Sequence, residues 1–129
     1  MLFRSYSNSA NILSIDDGSA SDRLYFYQSN NNEIGTAMSG GGADQGTLES
    51  VDEWINGVPL NITEASSTND RENYINGVSR NTDGAATMPS GLTTIHVGSR
   101  YDNTLQPYGT IRNIKIFNKR LNDSQVGNL

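Results

Sequence analysis

The loop Arg100-Tyr-Asp-Asn-Thr-Leu-Gln-Pro-Tyr108 places a guanidinium, two phenol rings, a carboxylate and a carboxamide within one short stretch of chain. Aromatic faces stack on the apolar face of a sugar ring, while Asp, Asn and Arg bond its hydroxyls. Groups of this kind work best on loops held by a rigid scaffold. Arg100, Tyr101, Asp102, Asn103 and Tyr108 are therefore the first candidates for a glycan site. Trp54, flanked by Asp52 and Asn56, is a second, with core packing as its competing role. Tyr25 and Tyr27 make a third if their strand face is open to solvent. Tyrosine is also simply a good strand and rim residue, which is the plain alternative for all of them.

Metal chemistry has one candidate. Asp16, Asp17 and Asp22 lie in a single loop, and calcium takes oxygen ligands from such loops. Asp102 and Asn103 could add more oxygens. The order does not follow the EF-hand pattern, and Asp with Gly builds turns without any metal. Nucleophilic catalysis would have to rest on His96, the single histidine of a chain without cysteine. His96 stands between Ile95 and Val97, on the opposite face of an alternating strand, so a partly exposed strand histidine is the reading. Gly40-Gly41-Gly42 is no phosphate loop, because no Lys-Ser/Thr follows it.

These residues need elements to hold them. Arg23-Leu-Tyr-Phe-Tyr-Gln28 alternates Leu24 and Phe26 with Tyr25 and Tyr27, the pattern of a half-buried strand. Short apolar runs at 2–6, 11–15, 33–38, 47–51, 59–63, 73–78 and 93–98 predict further strands. Asn76-Gly77 favours a type I′ hairpin, since both residues tolerate positive φ. Turn signals recur roughly every ten residues, which fits a sandwich or jelly roll. Ile114 and Ile116 alternate with Asn113 and Lys115, predicting a long half-buried closing strand over 109–117. After it, Leu121 is an apolar anchor, and Asn122 or Asp123 caps a helical turn in which Val126 and Leu129 share a face.

Composition bounds the rest. The 129 residues suit one domain spanning 1–129 with a core that needs neither disulfide nor metal. A net charge of −5 argues against nucleic acid and anionic membranes as partners. No stretch reaches the roughly 18 apolar residues of a membrane helix, so no membrane insertion is expected. The start, Met1-Leu-Phe-Arg-Ser-Tyr6, reads as a strand and not as a signal peptide. That fits an excised domain, or a protein released without a cleaved signal.

Tyr74-Ile-Asn-Gly77, Leu92-Thr-Thr-Ile-His-Val-Gly-Ser99 and Gly109-Thr-Ile-Arg-Asn-Ile-Lys-Ile-Phe-Asn-Lys-Arg-Leu121, in that order, resemble the concanavalin A-like lectin/glucanase jelly roll. The narrower resemblance is to the laminin-G-like modules of bacteriophage tail fibres and other virion proteins. Leu13-Ser-Ile-Asp-Asp-Gly-Ser19 with Asp22-Arg-Leu-Tyr25 looks like that family's early hairpin, whereas the early Trp54 and the segment after it depart from its pattern.

The resemblance implies an all-β fold, a two-sheet antiparallel jelly-roll sandwich with a short C-terminal helical turn. It implies a non-catalytic module that binds a surface glycan or another host receptor, on a virion or otherwise extracellular. A structural module for virion assembly, contacting other virion proteins without a glycan ligand, is the alternative. A homo-oligomer, trimeric at a fibre tip, would fit either. Some relatives bind calcium at a loop rim, which would use Asp16, Asp17 and Asp22. The fold's glucanases are similar to one another in an E-x-D-x-x-E strand. Here Glu49-Ser-Val-Asp52-Glu53 has the wrong spacing for an acid and a nucleophile on one face, so no enzyme is expected.

Overall fold

The computed structural model of the chain describes residues 2–3, 9–29, 31, 33–50 and 57–129. Its strands are β1 (Leu2–Phe3), β2 (Ala10–Asp16), β3 (Arg23–Gln28), β4 (Ile34–Gly40), β5 (Ala43–Ser50), β6 (Ile62–Ser67), β7 (Asp70–Ile75), β8 (Val78–Asp83), β9 (Thr94–Val97) and β10 (Gly109–Thr110), with one helical turn, α1 (Asp123–Val126). Among the described residues they form a five-stranded sheet in the order β5-β4-β3-β2-β9, a three-stranded sheet β6-β7-β8, and the pair β1-β10. Every pairing is antiparallel. The fold is an all-β sandwich of two antiparallel layers with a small C-terminal helix, as expected.

The alternation in β3 decides which way the large sheet faces. Phe26 packs inward with Leu60, Ile62 and Ile111 against a core of Ile12, Ile34 and Ile75. Each buried isoleucine of that core is worth about 1.5–3 kcal/mol relative to exposure. Arg23, Tyr25 and Tyr27 consequently point to the outer face. The layers are stitched at one side by side chains reaching backbone, Asn73 Nδ2 donating to the Leu48 carbonyl at 2.8 Å and Asn81 Nδ2 to that of Glu49. Between the sheets lies a buried ion pair, Arg71 to Glu64 at 2.9 Å, both side chains fully excluded from solvent.

Asn76 and Gly77 have φ of 53° and 77° and close the β7–β8 hairpin, with Ile75 opposite Val78. At the C-terminus Asn122 caps α1 reciprocally with Gln125. Val126 packs with Leu121 on Ala65 and Tyr74, and the Tyr74 hydroxyl donates to Asp123 Oδ1 at 2.8 Å.

The long closing strand is corrected. Only Gly109–Thr110 joins a ladder, with β1. Residues 111–117 run without strand pairing among the described residues, and Ile114, Ile116 and Phe117 are 44, 54 and 47% exposed. The cause is local, because Asn113 takes φ of 58° in the left-handed region and breaks the two-residue period. Leu129 is also exposed, so of the apolar pair expected on one helix face only Val126 is buried.

Candidate functional site

Strand register assembles the outer face of the large sheet. One cross-strand row runs His96, Ser14, Tyr25, Ala37, Thr47; the next runs Thr94, Asp16, Arg23, Ser39; a third runs Tyr27, Gly35, Glu49. Small residues on β4 leave a low floor, and the aromatic and charged chains of β3 stand over it.

Arg23 is the centre of the arrangement. Its guanidinium carbon lies 4.5 Å from the Tyr25 ring centroid and 5.4 Å from that of Tyr101. Arg100 approaches the same Tyr101 ring at 4.8 Å. Two cations thus meet two tyrosine faces, contacts worth about 0.5–1 kcal/mol each at exposed sites. The charges differ in availability. Arg100 is spoken for: its Nη2 donates to Asp102 Oδ2 at 2.7 Å and to the Tyr101 hydroxyl at 3.2 Å. Burial works against the Arg100 charge, but the Asp102 bond and charge prevail and raise its pKa. Asp102, bonded to the Thr104 hydroxyl and then to Arg100, is held below the usual carboxylate range. Arg23 makes no ion pair among the described residues.

Tyr25 and Tyr27 continue the platform, their rings 5.7 Å apart and tilted by 47°. Tyr27 donates to Glu49 Oε1. Its burial, with the Glu49 contact, raises its pKa beyond the ordinary phenol value, so it stays a hydroxyl donor.

The loop residues divide. Arg100, Tyr101 and Asp102 come together, and the Tyr101 ring brings them to Arg23 and Tyr25. Asn103 is a turn residue at φ of 60°, its amide donating to the Arg100 carbonyl at 2.9 Å. Tyr108, 62% exposed, follows Pro107 beyond the turn. Trp54, with Asp52 and Asn56, falls outside the described residues. Arg23 was missed by composition of the loop alone, although the two-residue period of β3 puts it on the Tyr25 face and could have found it.

The three aspartates of the 16–22 loop do not converge; among the described residues no three metal-binding side chains gather. Asp16 accepts from Ser14 Oγ at 2.7 Å and from the Gly18 amide at 3.0 Å. Asp17 accepts from the Ser19 amide at 2.8 Å. Asp22 accepts from the amides of Ser90 at 2.7 Å and Gly41 at 3.2 Å, which lower its pKa. Ser14, Asp16 and His96 contain the residue types of a hydrolytic triad, but the wiring is wrong. Ser14 donates to the aspartate instead of to the histidine, and His96 Nε2 stands 3.6 Å from Asp16 Oδ1.

No family pattern and no curated protein matches this sequence. Solved structures do match. The CBM40 of the Ruminococcus gnavus IT-sialidase bound to α2,3-sialyllactose superposes with a TM-score of 0.79 over 98% of this chain and 77% of that chain, at 15% identity. The same module bound to α2,6-sialyllactose gives 0.78 at 15% identity over the same shares, 98% and 77%. The fold is that of a CBM40 module. Within the NanB sialidase of Streptococcus pneumoniae, this chain matches 22% of the length with a TM-score of 0.75 and 16% identity, 98% of it being covered. At these identities the likeness concerns the fold alone.

Proposed function

We propose that this chain is a non-catalytic carbohydrate-binding module whose ligand is an acidic glycan, held on the outer face of the five-stranded sheet. The observation that carries this reading is Arg23, without an ion pair among the described residues and set between the rings of Tyr25 and Tyr101. A guanidinium can take a carboxylate through two parallel bonds, while the flanking rings stack on the sugar. Modules of the same fold with bound sialyllactose, a glycan that carries a carboxylate, support it. Calcium is not needed for this reading, since the candidate carboxylates already accept hydrogen bonds from Ser14, Gly18, Ser19, Gly41 and Ser90. Display on a virion or tail fibre for host recognition, in an extracellular setting, extends the proposal on the strength of the sequence resemblance.

A glycan array followed by calorimetry with sialyllactose, each with and without a chelator, tests it. Binding should survive chelation and fall about tenfold or more on Arg23→Ala or Tyr101→Ala in protein that still melts cooperatively. Unchanged affinity in both variants would refute the site.

One observation favours assembly as a second reading. Among the described residues β9 is an edge strand, and its Ile95 and Val97 are 51 and 54% exposed, the kind of edge through which sheets associate. Sedimentation of the isolated chain as a stable homo-oligomer that binds no glycan would decide for it.

A further inference from the structure

We infer that the cleft between the two layers is a binding site for a long-chain fatty acid, with the carboxylate held at a cationic rim. The cleft has a volume of about 1030 Å³, at the upper end of the roughly 300–1,000 Å³ usual for small-molecule sites. One wall is the inner face of β2 and β3, where Leu13, Ile15, Leu24 and Phe26 line the opening and stay only half-buried. On β4 of the same sheet Ile34 and Met38 are fully buried, so the layers part locally and not throughout. Ile95 and Val97 of β9 stand opposite Ile15 and Leu13 and extend the apolar wall to the sheet edge.

Charge names the occupant. The chain carries 9 Lys and Arg against 14 Asp and Glu. Yet four of those cations, Arg112, Lys115, Lys119 and Arg120, line the cleft, against a single acid, Glu64. Glu64 is turned to Arg71 at 2.9 Å, and Arg120 is paired with Asp70 and Glu72. Arg112, Lys115 and Lys119 are exposed and make no ion pair among the described residues. A positive rim therefore stands over an apolar interior in an acidic chain. The complementary ligand has a hydrocarbon chain and one anionic end. Its chain releases water from the apolar wall, and its carboxylate takes charge-assisted bonds from an ammonium or guanidinium. The long Lys and Arg stems can cover the chain while their heads stay at the rim. A second copy fits less well, because in a two-fold contact each patch meets itself and the two sets of cations would face one another. The cleft lies on the opposite face of β3 from Arg23 and Tyr25, so it does not rest on the glycan reading.

Calorimetry on the full chain with sodium dodecanoate, kept below its micelle concentration, tests the site. Dodecanoate should bind saturably and about tenfold or more tightly than dodecanol, which has the same chain without the charge. Lys115→Glu combined with Lys119→Glu alters only exposed side chains and should weaken dodecanoate by about tenfold or more while leaving dodecanol unchanged. Amide shifts in an NMR titration should centre on Leu13, Ile15, Leu24 and Phe26. Equal affinity for the acid and the alcohol, or shifts centred on another surface, would overturn the inference. Binding to phosphatidylglycerol vesicles without uptake of free dodecanoate would overturn it in favour of a lipid surface.

Discussion

Tyr27 donates its phenolic hydrogen to Glu49 across a strand that carries no side chain between them. The residue on that intervening strand is Gly35, opposite Tyr27 on one side and Glu49 on the other. A Cβ there would lie 2.9 Å from the Leu48 carbonyl, 3.0 Å from Glu49 Cγ and 3.1 Å from Tyr27 Cε1. Absence of a side chain, not backbone freedom, is what this glycine supplies to the outer face.

Gly35→Ala should therefore cost about 1–3 kcal/mol, the usual range for overpacking a tight site. It should also loosen the Tyr25–Tyr27 platform, weakening sialyllactose binding although position 35 is set below the rings. Thermal melts and calorimetry on the same preparation check both effects. A variant as stable as the parent would show that the neighbouring strands yield without strain.

Much of this architecture was legible where a signal is local. The alternation of Leu24 and Phe26 with Tyr25 and Tyr27 gave the orientation of β3, and Asn76-Gly77 gave a hairpin whose positive φ values are as expected. Either Asn122 or Asp123 suits a helix cap by residue type, and Asn122 is the cap. What depends on register between distant strands was not legible. Arg23 meets Tyr101 only because β9 lies beside β2 and its following loop returns over β3. Glu64 meets Arg71 only through the β6–β7 pairing, and nothing in either local sequence announces a buried ion pair. The closing segment misled for the opposite reason. Its apolar spacing is that of a strand, but one left-handed Asn113 is enough to turn it out of the ladder.

Glu64 makes the stability of the sandwich depend on pH in a definite direction. Burial is the largest influence on its carboxyl and raises its pKa above the ordinary 4.5, even though Thr36 and Arg71 bond the charged form. The folded protein then keeps this proton where the unfolded chain has lost it. The contribution is fully present below pH 4.5 and is lost as pH rises through the raised folded value. Glutamine cannot titrate. The stability of the parent relative to Glu64→Gln should accordingly be greatest near the acid end and decline toward neutrality, by urea denaturation between about pH 4 and 7. A relative stability that climbs with pH would mean that the Arg71 attraction outweighs burial.

The C-terminal turn offers the cleanest single-residue test of how the chain end is held. Asn122 Oδ1 accepts from the Gln125 amide at 2.9 Å while Gln125 Oε1 accepts from the Asn122 amide at 3.0 Å. The turn is too short to persist alone, since an isolated helix needs roughly 12–15 residues even to be marginal. It is kept by this reciprocal cap and by Val126, 2% exposed against Ala65 and Tyr74. Asn122→Ala removes one half of the cap and should cost about 1 kcal/mol. Val126→Ala empties a buried site and should cost about 1–3 kcal/mol. Thermal melts of both variants check this, and a Val126→Ala variant as stable as the parent would show that the turn does not hold the chain end.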